Sequence, residues 1–334
     1  MYKKAMLLIL ILTCSLNGCA EATEFSTEAT ETQVEEAAWK MGIGYSGTGY
    51  TSLFTEWADS VREDTGGEVE LSLYGDNILG EAEVMLEAVQ NGTLSIMACS
   101  TSVCNDLISE VSVMDIPACY TDYVKTNVVY TGDFYELMNE CYRKQGLELL
   151  YIGTGEYWII SSSEPLTSLE DLNGLRIRSI GNTFHEELYT LLGVESVADV
   201  GLNGLSYVIN DNEVDIVETT YSILRSQDLL SLQPYGLQGP FFAMSSAIVM
   251  NLEAYDSLPE EYQKAIKGDL WELSRQRAQE RAEEADTEGL DLTILSDEEV
   301  EQLRELAQPV LEHVFQTVDS ELLEALTREN EEYD

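Results

Sequence analysis

From Trp39 onward the apolar positions switch repeatedly between a period of two and a period near 3.6. Met41-Gly42-Ile43-Gly44-Tyr45 alternates large and small residues as a strand does, and the loop Ser46-Gly47-Thr48-Gly49 follows. Tyr50, Leu53, Phe54, Trp57, Ala58 and Val61 then recur at helical spacing until Thr65-Gly66-Gly67 stops them. Val69, Leu71 and Leu73 alternate as a second strand. Val84, Met85, Ala88 and Val89 mark a second helix, and Leu94 to Ala98 a third strand. The order βαβαβ predicts a largely parallel sheet with helices on its faces. Such sheets bind ligands beyond the carboxyl ends of their strands, here near Tyr45–Gly49, Tyr74–Gly80 and Cys99–Ser102.

A second unit begins near Leu147–Ile152. Ser168-Leu169-Glu170-Asp171 reads as a helix-initiating cap and Gly174 closes that turn. Leu175 and Ile177 alternate with Arg176 and Arg178, so both arginines share one strand face. A helix over about Phe184–Leu192, another over Ser206–Asn210 and a buried strand Val214–Val217 ending at Glu218 repeat the βαβ order. Ser257-Leu258-Pro259-Glu260 launches a long helix with Tyr262, Ile266, Leu270, Leu273, Ala278, Ala282 and Ala285 on one side. At ~1.5 Å per residue it reaches on the order of 40 Å, enough to cross two domains. Ser296-Asp297-Glu298-Glu299 caps a helix striped by Leu303, Leu306, Val310 and Val314, and Pro309 interrupts it.

The N-terminus has a different character. Lys3 and Lys4 precede the apolar run Met6–Leu12, and Leu16-Asn17-Gly18-Cys19 ends it. A run this short cannot span a bilayer, so residues 1–18 read as a cleaved signal, with Cys19 the lipidated first residue of a lipoprotein. An ordinary secretory signal with an incidental cysteine is the alternative. Residues 19–37 are dominated by Glu, Thr and Ala and read as a disordered acidic tether. The roughly 300 residues that remain suit two domains better than one.

The chain carries 62 acidic against 17 basic side chains, a formal charge of −45. Nucleic acid is therefore no partner, and any anion site must rest on a few well-placed basic groups. Beyond the signal and the anchor the cysteines are Cys99, Cys104, Cys119 and Cys141. They allow three pairings, but a domain this large needs no staples, and free thiols are expected. His185 and His313 are far apart and lack metal-type spacing, so no metal site is expected. Walker-type loops, Gly-x-Ser-x-Gly and His-Glu-x-x-His are missing, and Gly42-x-Gly44-x-x-Gly47 fits a dinucleotide fingerprint only superficially. What remains is two α/β units with facing loops and an arginine at a strand end: binding equipment without an evident reaction.

Four stretches carry a resemblance to a known family. They are Asp64-Thr65-Gly66-Gly67 through Leu79-Gly80-Glu81 with Glu87–Gly92, then Pro165–Arg178 (PLTSLEDLNGLRIR), Val214-Asp215-Ile216-Val217-Glu218, and Asn251–Leu258 with the helix beyond. In these the chain resembles the substrate-binding (P) subunits of tripartite ATP-independent periplasmic (TRAP) transporters. The resemblance implies an α/β two-lobed, periplasmic-binding-protein-like clamp. Each lobe is a β-sheet flanked by helices, with hinge strands and a long helix spanning both lobes. Lobe I takes residues 38–155 plus about 245–275, lobe II takes 156–244 plus about 276–325, and 326–334 is a frayed tail. It also implies a receptor, not an enzyme, without cofactor. Such a receptor is a monomer that captures an organic acid and delivers it to small and large TRAP membrane subunits at the outer face of the cytoplasmic membrane. The alternative role is a ligand sensor presenting the closed clamp to a membrane sensor protein.

The same resemblance makes Arg178 the partner of the ligand carboxylate and leaves Arg176 a structural or surface role. Glu218, Thr219 and Tyr221 line the cleft from the turn, Trp158 stacks on the ligand or packs at a lobe edge, and Ser46, Tyr50, Glu81 and Ser100 contribute from the first lobe. Thr219 stands where the family often has asparagine, Gly204 where it commonly has glutamate, and Arg225 follows the turn as a possible second cation.

Overall fold

The computed structural model describes residues 37–44, 48–118, 126–127, 130–197, 200–283 and 287–333. Cys19, residues 20–36 of the tether and Ser46 lie outside them, and Ala37, expected as the end of the tether, begins the first strand.

The first unit forms as its periodicity demands. Strands β1 (Ala37–Ile43), β2 (Val69–Tyr74) and β3 (Ile96–Ser100) alternate with α1 (Thr48–Asp64) and α2 (Ala82–Gln90). β1 pairs in parallel with both β2 and β3. The small residues of β1 let α2 approach, for a Cβ on Gly42 would sit 2.6 Å from Met85 Sδ. In the second unit β5 (Arg176–Arg178) pairs in parallel with β6 (Glu195–Val197) and β7 (Ile216–Thr219). Helices α4 (Thr183–Leu191) and α5 (Leu205–Asn210) intervene. The cap at Ser168 is a full capping box, but the segment it starts is a single 3₁₀ turn, Leu169–Leu172.

Two long strands join the units. β4 (Leu147–Ser162) and β8 (Tyr235–Asn251) run antiparallel side by side, giving the sheet order β2-β1-β3-β8-β4-β7-β5-β6, with β9 (Asp291–Ile294) on β8. β4 is therefore not the first strand of a separate unit. It starts in one lobe, where Leu147–Thr154 pair with the end of β8, and finishes in the other, where Ile159–Ser162 pair with β7. A helix unforeseen in the sequence, α3 (Gly132–Arg143), buries Phe134, Tyr135, Met138 and Tyr142 against the ribbon's near end.

The ribbon is interrupted where the lobes meet. Tyr157 faces Ala243, but Ile159 faces Gln238, so residues 239–242 of β8 oppose Trp158 alone. Pro240 lies in this bulge, the place where a strand residue lacking an N–H is tolerated.

Two apolar layers clothe the sheet. One, on the face of α1, gathers Trp39, Met41, Phe54, Trp57 and Ile248 with Ile266 and Leu270 of α8 (Glu260–Glu283). The other is continuous through both lobes, from Met85 and Leu86 to Val310 and Ala325. It includes the C-terminal helices α9 (Asp297–Leu306), α10 (Gln308–Thr317) and α11 (Ser320–Tyr333). Ser296 and Glu299 cap α9 reciprocally, and Pro309 restarts the chain as α10. α8 follows the short α7 (Leu252–Asp256) at the end of β8 and is pinned to α1 by Trp57 Nε1 donating to Ile266 O at 3.0 Å and Ser60 Oγ to Asp269 Oδ2 at 2.7 Å. The chain beyond α8 enters β9, which pairs with Tyr235–Gln238 at the start of β8. The 24 residues of α8 make a helix of ~36 Å that packs on α1 and on β4.

Candidate ligand cleft

Register places the cleft. β3 ends at Ser100, opposite Ser246, which faces Gly153 on β4. From the other side β7 ends at Thr219, opposite Ile159. The carboxyl ends of β1 and β3 therefore point at those of β5 and β7 across a gap, as ligand sites in such sheets require. Residues 154–158 of β4 form its floor, flanked by neither β3 nor β7. The six residue steps from Gly153 to Ile159 span at most about 20 Å.

The two arginines of β5 have separate tasks. Arg176 is half-buried and grips Asp215, with Nε to Oδ2 at 3.0 Å, Nη2 to Oδ1 at 2.9 Å and its own backbone N–H to Oδ2 at 2.9 Å. Those hydrogen bonds hold the Asp215 carboxyl below its usual range and fix β5 to the start of β7. Arg178 is buried at 4 % exposure. Its Nε and Nη2 donate to Val200 O at 2.8 and 2.6 Å, and Nη1 to Glu218 O at 3.3 Å. The guanidinium is thus locked flat against backbone carbonyls at the edge of the gap, a planar fork with its orientation set in advance.

Behind it lies a cluster that sequence reasoning missed. Glu218 is wholly buried, and its Oε1 accepts from Tyr189 Oη at 2.7 Å and meets His185 Nδ1 at 2.5 Å. Its Oε2 accepts from Ile180 N at 3.0 Å. The Glu218 carboxylate, expected at the ligand, is thus engaged on both oxygens inside the lobe, and its backbone carbonyl is what supports Arg178. On its other side His185 faces Asp115 Oδ1 at 3.5 Å, and Asp115 Oδ2 accepts from Asn105 and Asn182 at 2.7 and 2.8 Å. Burial pulls the His185 pKa down, but the charges of Glu218 and Asp115 outweigh it and hold it at about 9. Burial opposes ionisation of Glu218 too, yet His185 keeps its carboxyl below the usual range. The imidazolium lies flat on Phe242 of the bulge, centroids 3.5 Å apart. Trp158 is buried edge-on to the same ring at 6.4 Å. No residue spacing could reveal this cluster, because its members lie on separate segments far apart in the chain.

The remaining expected site residues occupy both rims. Glu81 precedes the first residue of α2, and its Oε2 comes within 3.4 Å of where a Cβ on Gly201 would stand, so the lobes touch there. Gly201 adjoins Val200, the carbonyl partner of Arg178. Ser100 Oγ lies 2.8 Å from Ser102 Oγ. Thr219 is buried at the end of β7. Tyr221 opens α6 (Tyr221–Ser226) and donates from Oη to Glu288 O at 2.9 Å. Arg225 is exposed on the same helix. Gly204 stands where a Cβ would meet Val200 Cγ1 at 2.4 Å, leaving no room for a longer side chain. Tyr50 lies in the first turn of α1, and Ser46 outside the described residues. Cys99, Cys104 and Cys141 are free thiols, and Cys119 lies outside the described residues. Among the described residues no cluster of side chains could hold a metal ion, and no helix is long and apolar enough to cross a membrane.

Two α/β lobes on a shared ribbon, with strand ends facing a gap and a buried arginine at its edge, define a solute-binding clamp. The chain belongs to the bacterial extracellular solute-binding proteins of family 7, whose model matches residues 45–318, the family of TRAP substrate-binding subunits. It is 28% identical over 216 residues to an uncharacterised Haemophilus influenzae protein, covering 64% of this chain and 66% of that one. It is 28% identical over 181 residues to the C4-dicarboxylate-binding protein DctB of Bacillus subtilis, covering 54% and 51%. The match thus spans about half to two thirds of the length of these relatives. Its fold is similar to that of a TRAP periplasmic solute-binding protein from Desulfovibrio salexigens with bound orotic acid. The TM-score is 0.78 at 22% identity, covering 89% of this chain and 98% of that one. It is equally similar to a sugar-acid-binding protein from Advenella mimigardefordensis in complex with galactonate. There the TM-score is 0.79 at 18% identity, covering 90% and 99%.

Proposed function

We propose that this chain is an extracytoplasmic receptor that closes on a small organic acid and delivers it to the small and large membrane subunits of a TRAP transporter. The observation that carries the reading is Arg178, buried at the gap between the lobes and oriented by the carbonyls of Val200 and Glu218. Guanidinium and carboxylate match through two parallel charge-assisted hydrogen bonds. Thr219, Tyr221 and Trp158 on one side, and Ser46, Tyr50, Glu81 and Ser100 on the other, enclose the rest of the solute, while Glu218 acts by supporting Arg178. Lobe I comprises 38–155 and about 245–275, and lobe II 156–244 and about 276–325. The relatives support an acidic solute: DctB is named for C4-dicarboxylates and a solved neighbour from Shewanella oneidensis holds succinate. Cys19 carries the lipid anchor, so that Cys19→Ser releases the protein from membranes into the soluble fraction. A variant still firmly membrane-bound would refute the anchor.

The test of the site is calorimetry after a thermal-shift screen of organic acids, in which a ligand at ~100 times its Kd stabilises by about 2.7 kcal/mol. Removing one partner of a buried charged pair costs about 2–5 kcal/mol, roughly thirty- to several-thousand-fold in affinity. Arg178→Ala loses that much, and Arg178→Lys loses much of it because ammonium lacks the planar fork. Arg275→Ala, on an exposed arginine paired with Glu272, leaves affinity unchanged. An Arg178→Ala protein that binds within about threefold of wild type would refute the assignment.

A further inference from the structure

We infer that the solute carries a cationic nitrogen as well as its carboxylate, and that Glu156 on the cleft floor receives it: the ligand is a small zwitterion. The inference rests on Arg178 as the carboxylate anchor and deepens that reading.

Glu156 lies in the stretch of β4 flanked by neither β3 nor β7. One carboxylate oxygen, Oε1, accepts from Ser222 Oγ at the start of α6. The other, Oε2, is buried and has no hydrogen-bond partner. A carboxylate is an acceptor only, and an ionised oxygen held out of water without a donor is costly. No Lys or Arg among the described residues reaches it. Arg176 is committed to Asp215, Arg143 to Glu148 and Asp256, and Lys267 to Glu148. A donor that arrives with the ligand removes the cost, and a charged donor removes most of it.

The two poles are also tied to the same stretch of chain. The Arg178 guanidinium is fixed to Glu218 O and the Glu156 carboxylate to Ser222 Oγ, so both hang on one short segment, Glu218–Ser222. Its four residue steps span at most about 14 Å. That upper limit keeps both anchor points within reach of one ligand of a few carbons. A dicarboxylate of that length would direct its second negative end at Glu156, with Glu81 at the rim adding to the repulsion. A zwitterion presents opposite charge to each pole.

Calorimetry on the full mature chain decides the matter with length-matched probes. These are ω-amino acids from β-alanine to 6-aminohexanoate, the corresponding dicarboxylates and ω-hydroxy acids, and a set of L-α-amino acids. We expect at least one amino acid to bind ten or more times tighter than its dicarboxylate and hydroxy counterparts. Glu156→Gln should weaken that amino acid about tenfold or more, while changing the hydroxy acid little, since an amide oxygen still accepts from a hydroxyl. Glu156→Asp keeps the charge and should keep the preference, which also guards against misfolding of the amide variant. Preference for a dicarboxylate or hydroxy acid, an undiminished preference in Glu156→Gln, or no binding of any amino acid at millimolar concentration overturns the inference. If dicarboxylates bind in an Arg178-dependent manner, the carboxylate reading survives and this one falls. If the bound probe is indifferent to Arg178→Ala, the carboxylate reading falls instead.

Discussion

Glu218→Gln tests whether a charged pair, rather than packing alone, holds the second lobe together behind Arg178. The substitution preserves shape and leaves the backbone carbonyl that supports Arg178, but removes the charge facing His185. In the wild type His185 titrates at about 9 instead of near 6.5. A group whose pKa is raised on folding stabilises the native state fully below its unfolded pKa, and that stabilisation fades as pH climbs through the folded value. Two and a half units at 1.36 kcal/mol each is about 3 kcal/mol, present below ~pH 6.5 and lost by ~pH 9. Glu218, with its pKa depressed, works in the opposite sense. Its contribution is present above ~4.5 and is lost as pH falls through the folded value.

Removing one member of a buried pair costs about 3–5 kcal/mol where both are charged. The variant should therefore be destabilised by that amount near pH 6, and by about 3 kcal/mol less at pH 9.5, where wild-type His185 has itself lost its proton. Urea denaturation of both proteins across this range measures the difference directly. The comparison matters because a chain of formal charge −45 also destabilises itself with rising pH, equally in both proteins. If the gap between wild type and variant does not change with pH, His185 is not charged in the native state and the account of the cluster is wrong.

Two further substitutions probe the ribbon. Glu148, 1 % exposed, receives Arg143, Lys267 Nζ at 2.6 Å and Asn139 Nδ2 at 3.2 Å, so Glu148→Ala should cost about 3–5 kcal/mol, part of it recovered by adding Lys267→Met. A loss under about 1 kcal/mol in urea denaturation would show that α3 and α8 do not depend on it. Gly153→Ala places a Cβ 2.1 Å from Tyr151 Oη and 2.7 Å from Asn127 Oδ1, and should destabilise by about 1–3 kcal/mol. Unchanged stability would mean that the ring of Tyr151 moves aside freely.

Much of the scaffold was legible because the forces that specify it are short-ranged. The spacing of Leu53, Phe54, Trp57 and Val61 makes α1, the reciprocal cap of Ser296 and Glu299 starts α9, and Pro309 restarts the chain as α10. Alternation around Ile177 was enough to put Arg178 at a strand end, and the acidic composition was enough to make any cation there conspicuous. β8 was invisible for the opposite reason. It is buried on both faces over Phe241–Asn251, so it shows no alternation, and Gly239 and Pro240 look like a turn rather than a bulge inside a continuous strand.

What only the tertiary structure decided is which groups meet. The sequence shows His185 as an isolated histidine and Glu218 as one carboxylate among sixty-two acidic side chains. Folding α4 onto the end of β7 makes them a buried ion pair, and the segment carrying Asp115 closes it from the far side. The carbonyl of Val200 has no signature at all, yet it orients Arg178. Glu156 becomes a cleft-floor carboxylate only because β3 and β7 stop on either side of it. Local pattern encodes amphipathic helices and half-buried strands. Charge pairing and burial depend on neighbours tens of residues away, and those neighbours meet only once the chain has folded.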